Sequence, residues 1–101
     1  MNLKILNYIR NKSQLQALFI SQFPADYIRN EINAIIQKTR KSSTPGTNYF
    51  AKNISTLEVL IFIDTNGVPD GHLLSEELKI KLQDYRENLA KENRSKSLIE
   101  N

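Results

Sequence analysis

The chain has 101 residues, 40% hydrophobic and 25% charged, with a net charge of +3. That length and composition fit one globular domain with its own core and exclude wholesale disorder. The lack of Cys rules out disulfides, thiolate metal sites and cysteine nucleophiles.

The first segment, "LKILNYI", is compatible with a short strand or with the opening of a helix. Ser13-Gln14-Leu15-Gln16 has the form of a capping box, and Leu15, Leu18 and Phe19 follow at helical spacing. A helix from about Ser13 to Gln22 is predicted. Pro24 ends it and can begin the next, because a first-turn Pro gives up no hydrogen bond. "ADYIRNEINAIIQKTRK" is the clearest helix: Ile28, Ile32, Ile35, Ile36 and Thr39 share one face. Asp26 and Glu31 lie early in it and Lys38, Arg40 and Lys41 late, in the order that the helix dipole favours.

"KSSTPGTN" reads as a loop, with Pro45-Gly46 at the centre of a type II turn. Val59, Ile61, Phe62 and Ile63 are β-branched or aromatic, which predicts a strand. Its expected partner is Thr47 to Asn53 folded back as a hairpin, or the same strand of a second copy. Ser55-Thr56-Leu57-Glu58 also has capping-box form, and Asn66-Gly67 can end a short helix, so a helix over Ser55 to Asp64 is the alternative. Ser75 is a good N-cap for a last helix, in which Leu78, Leu82, Tyr85 and Leu89 form one apolar row. From about Glu92 that pattern is lost, which predicts a frayed tail.

Net charge divides unevenly, +6 over residues 1–52 and −3 over residues 53–101. Such asymmetry points to an anionic partner for the first half, or to attraction between the halves or between copies. A nucleic-acid site would use Arg29, Lys38, Arg40, Lys41 and Lys52 on phosphates, with Tyr49 and Phe50 placed to stack on bases. The plainer reading is a charged helix terminus followed by core aromatics.

The Asp-rich turn tests for a divalent cation. Asp70, Gly71, Leu73 and Glu77 match late positions of a calcium loop. Asp64 and Asn66 supply the earlier ligands only if Val68-Pro69 is an insertion. The competing reading is a solvated turn whose Asp and Asn bond their own backbone. His72 is the single histidine and has no recognisable catalytic partner by spacing. No catalytic residue and no cofactor is assigned. Gly46, Gly67 and Gly71 fit neither the dinucleotide fingerprint nor the phosphate loop. The longest unbroken apolar run, Val59 to Ile63, is too short to span a bilayer, and no signal-peptide core is evident. The expected location is the cytoplasm, with no membrane partner.

"LEVLIFIDTNGVPDGHLLSEELKIKLQDY" resembles the strand–turn–helix closing segment of phage baseplate J-type proteins, in its apolar run, its turn with Asn66, Gly67 and Pro69, and its "SEEL" and "LQ-Y" helix. The resemblance covers less than a third of the chain and implies a strand at 57–63 and a structural, assembly-type role.

The predicted fold is α+β and mostly helical: two N-terminal helices, a short β-hairpin at about 47–63 and a C-terminal helix. Residues 1–93 form a single domain and 94–101 the frayed tail; the alternative is all-α. The expected function is a non-enzymatic protein-interaction module that self-associates as a homo-oligomer. The alternatives are nucleic-acid binding by the basic half, a phage-type assembly component, and a cation-binding or catalytic protein centred on 64–77.

Overall fold

The computed structural model describes residues 3–40 and 51–100, with the backbone alone for 93–100. Its elements in chain order are β1 (Lys4–Leu6), α1 (Lys12–Phe19), α2 (Ala25–Thr39), α3 (Thr56–Asn66), β2 (His72–Leu74) and α4 (Glu76–Glu100). The fold is α+β and mostly helical.

Asn11 caps α1: its side chain accepts from the Gln14 N–H at 2.9 Å. The Gln14 side chain reaches back to accept from the Arg10 N–H at 2.9 Å. This reciprocal cap sits two residues before the expected Ser13 cap, so the helix starts at Lys12. Leu15 and Phe19 point inward from it. Pro24 is the N-cap of α2, with φ at −60° as its ring requires. Ile28, Ile32, Ile35 and Ile36 bury the predicted face of α2.

The predicted hairpin is not formed. Thr56–Asn66 is α3, the helical alternative, and the Thr47–Phe50 part of the hairpin lies outside the described residues. Both ends of α3 are fixed locally. Ser55 accepts from the Glu58 N–H at 3.1 Å, and Glu58 accepts from the Ser55 N–H at 2.8 Å. Gly67 ends the helix at φ 88°, donating to the Ile63 carbonyl at 2.7 Å. Burial follows the helix: Val59, Leu60, Phe62 and Ile63 are enclosed and Leu57 is exposed. β-branching costs a helix only about 0.5 kcal/mol per residue. A helix also satisfies its backbone groups without a neighbour, which an isolated strand cannot do. The strand implied by the phage resemblance falls with the hairpin.

One strand of the sheet, β1, realises the short-strand option of "LKILNYI"; the other, β2, comes from residues given no strand in advance. β1 and β2 pair in parallel, with Lys4 opposite His72, Ile5 opposite Leu73 and Leu6 opposite Leu74. Helices α1, α2 and α3 form the crossover between them. An antiparallel bridge, Asn11 to Asn53, ties the start of α1 to the approach to α3. The core packs α3 against α2 and α4, with the rings of Phe19 and Phe62 edge to face, centroids 4.8 Å apart.

Ser75 precedes α4 and accepts from the Leu78 N–H at 3.3 Å. Leu78 and Leu82 are buried, Tyr85 is half-buried and Leu89 is exposed, so the apolar row leaves the core as the helix lengthens. The backbone continues as helix to Glu100 across the expected frayed tail. No helix among the described residues is long and apolar enough to cross a membrane.

Candidate interaction surface

Three-residue strands alternate in and out. Leu6 and Leu74 face inward and are buried. Ile5 and Leu73, paired directly across the sheet, face outward and stay 57% and 45% exposed. Leu3, at 47%, precedes them, and Tyr8, at 39%, follows. The Tyr8 hydroxyl donates to the Glu77 carboxylate at 2.7 Å. That hydrogen bond, with slight burial and the carboxylate's charge, raises the Tyr8 pKa above its ordinary value.

The sheet is two-stranded among the described residues. The Lys4 N–H bonds the Gly71 carbonyl at 3.0 Å, and the Leu6 carbonyl accepts from the Ser75 N–H at 2.9 Å. Both groups therefore turn toward β2. By alternation the Ile5 N–H and carbonyl turn the other way, along an edge with no strand against it among the described residues. Nothing in the sequence marked this surface, because β2 is too short to carry a period and its pairing with β1 spans most of the chain.

The expected cation ligands do not converge. Asp64 accepts from Arg86 at 2.7 Å. The Asn66 side chain accepts from the Tyr27 hydroxyl at 2.6 Å and donates to the Phe62 carbonyl at 3.0 Å. The Asp70 backbone N–H donates to Gln22 Oε1 at 2.7 Å, and the Glu77 carboxylate accepts from the Tyr8 hydroxyl. No group of three His, Asp or Glu suited to a metal ion occurs among the described residues. His72 meets Asp70 through the backbone carbonyl, 3.0 Å from Nδ1, and not through its carboxylate. A shallow groove of about 410 Å³ between α3 and α4, with Ile63, Leu74 and Leu82 in its lining, has Arg86 already bonded to Asp64.

The nucleic-acid candidates are also divided. Arg40 is drawn inward: Nη2 donates to Glu58 Oε1 at 2.8 Å and Nε donates to Oε2 at 3.0 Å. Thr39 adds a third donor to Oε2 at 2.6 Å. Burial pushes the Glu58 pKa up; the bonds from Arg40, Thr39 and Ser55 outweigh it, so the carboxyl lies below its usual value. Lys12 Nζ donates to Asn33 at 2.7 Å, and its own pKa is lowered by burial and by the charge of Arg40. Arg29 pairs with Asp26 one turn away. Lys38 and Lys52 are exposed. Lys41, Tyr49 and Phe50 lie outside the described residues.

No protein-family model matches this chain, and no curated protein or solved structure is significantly similar to it.

Proposed function

We propose that this chain is a non-enzymatic protein-interaction module that works through the outer face and open edge of the β1–β2 sheet, and that it self-associates there. One observation carries the reading: Ile5 and Leu73 face each other in register and are both about half exposed. Large apolar side chains grouped on a sheet face beside an open edge are what a partner covers. Sedimentation velocity over a range of concentrations tests it. The mass rises with concentration, and Ile5→Ser with Leu73→Ser abolishes the rise. Leu57→Ser, at an equally exposed site on α3, leaves it unchanged. A monomer at every concentration removes the self-associating part.

Nucleic-acid binding is the second reading, and one arrangement favours it. The Asn11–Asn53 bridge sets Lys12 beside Lys52, with the Lys12 N–H on the Lys52 carbonyl at 2.9 Å, and Arg10 one bridge position further on, beside Ile54. Arg40 reaches the Asn53 carbonyl at 3.1 Å. Phosphate binding strengthens as salt is diluted, so a missing gel shift at low ionic strength ends this reading.

A further inference from the structure

We infer that β1 pairs antiparallel with β1 of a second copy, about a two-fold axis through Ile5, joining two small sheets into one of four strands. This rests on the interaction-module reading above and names its occupant. The outward-turned N–H and carbonyl of Ile5 are the pair of groups that an antiparallel neighbour engages at a hydrogen-bonded position. Placed on the axis, the two Ile5 residues exchange both bonds.

Charge selects this register. With Ile5 opposite itself, Leu3 faces Asn7 and Lys4 faces Leu6, so no like charges are directly opposed. An axis through Asn7 would set Lys4 against Arg10. Carrying the strand spacing two residues past Leu6 puts Lys4 diagonally across from Tyr8 of the second copy. That hydroxyl holds Glu77, whose carboxylate is the counter-charge for the two Lys4 ammonium groups that this register also sets diagonally across from each other. The segment 3–12 carries Lys4, Arg10 and Lys12 and no acidic residue; in each copy the first turn of α4 supplies the complement through Glu76 and Glu77.

Area sets the strength. A stable interface covers about 800 Å² per partner. One short edge with Leu3, Ile5, Tyr8 and Leu73 offers less, so the dimer is weak and forms with rising concentration. An unrelated extended peptide lying on the same edge is the competing occupant.

The test uses the full chain and one backbone position. Ile5→Pro removes an N–H that faces away from β2, so the intramolecular ladder is kept while the edge is blocked. Ile5→Lys, at an exposed side chain, puts two ammonium groups directly opposite each other and guards against a misfolded proline variant; far-UV circular dichroism checks both. Each variant is expected to weaken self-association at least tenfold. In the wild type, exchange of the Ile5 amide slows as concentration rises, while the Lys4 and Leu6 amides, already bonded within the sheet, do not change. A dimer that persists in both variants, or whose Ile5 amide stays unprotected, overturns the pairing and leaves the module reading standing. A wild-type monomer at every concentration overturns the pairing together with self-association, and leaves only the unrelated peptide as occupant.

Discussion

Arg40 closes a two-point contact on Glu58, with Nη2 and Nε meeting separate carboxylate oxygens at 2.8 and 3.0 Å. The carboxylate is 1% exposed and the guanidinium 34%. Glu58 is also the reciprocal partner in the α3 cap. One side chain therefore fixes the start of α3 and clips it to the end of α2.

Removing that side chain takes away the acceptor shared by Arg40, Thr39 and the Ser55 N–H, leaving Arg40 the Asn53 carbonyl and Thr39 the Ile36 carbonyl. Breaking a buried pair from one side costs about 3–5 kcal/mol. Because Arg40 can reach water, Glu58→Ala is expected at the lower end, about 3 kcal/mol. Urea unfolding followed by circular dichroism measures it. A loss below about 1 kcal/mol would place the pair among surface contacts.

Acid should act through the same group. The folded pKa of Glu58 is depressed, so its contribution is fully present above the unfolded value of about 4.3 and is lost as pH falls through the folded value. Between pH 7 and 5 stability stays level on this account; below that it declines. Glu58→Gln, compared with the wild type across pH 7 to 2, should flatten the acid limb. An unchanged acid slope would assign the decline to other carboxylates.

Gly67 tests the helical ending of 56–66. Its φ of 88° and ψ of −178° lie in a region that side chains avoid. A Cβ there meets nothing within 4 Å, so the penalty of Gly67→Ala is backbone strain without a clash. About 1–3 kcal/mol of destabilisation is expected in thermal melts. A neutral result would mean that the turn relaxes to an ordinary conformation.

Position within α3 should decide tolerance in its apolar run. Phe62 is fully enclosed against Phe19, whereas Leu57 faces solvent. Phe62→Ala is expected to cost about 3–5 kcal/mol, and Leu57→Ala less than about 0.5 kcal/mol. Equal effects would argue against the helical register.

Calcium offers a check on the 64–77 segment. Asp64, Asn66 and Glu77 are each bonded to a different neighbour: Arg86, Tyr27 and Tyr8. A millimolar calcium titration is expected to leave the melting temperature in place, since only a ligand of the folded state raises it.

Local chemistry made much of this molecule legible. The apolar face of α2, the Pro24 boundary, the Ser75 start of α4 and its Leu78 and Leu82 contacts all follow from spacing and from single-residue preferences that act within one turn. Both reciprocal signals for α3, the Ser55–Glu58 box and Gly67, were also present in the sequence. β-branching pointed the other way, because a five-residue apolar run has no period long enough to separate strand from helix. Tertiary packing decided it, by enclosing Phe62, against Phe19, and Ile63 in the core, where α3 packs on α2 and α4. Only the assembled fold could bring residue 5 to residue 73, and only there do Ile5 and Leu73 become a surface. Contacts across most of a chain leave no local trace, since each strand gains its bonds from a partner that its own neighbours cannot specify. The same holds for Arg40: its helix-end position suited a phosphate ligand, until the fold placed a buried carboxylate within its reach.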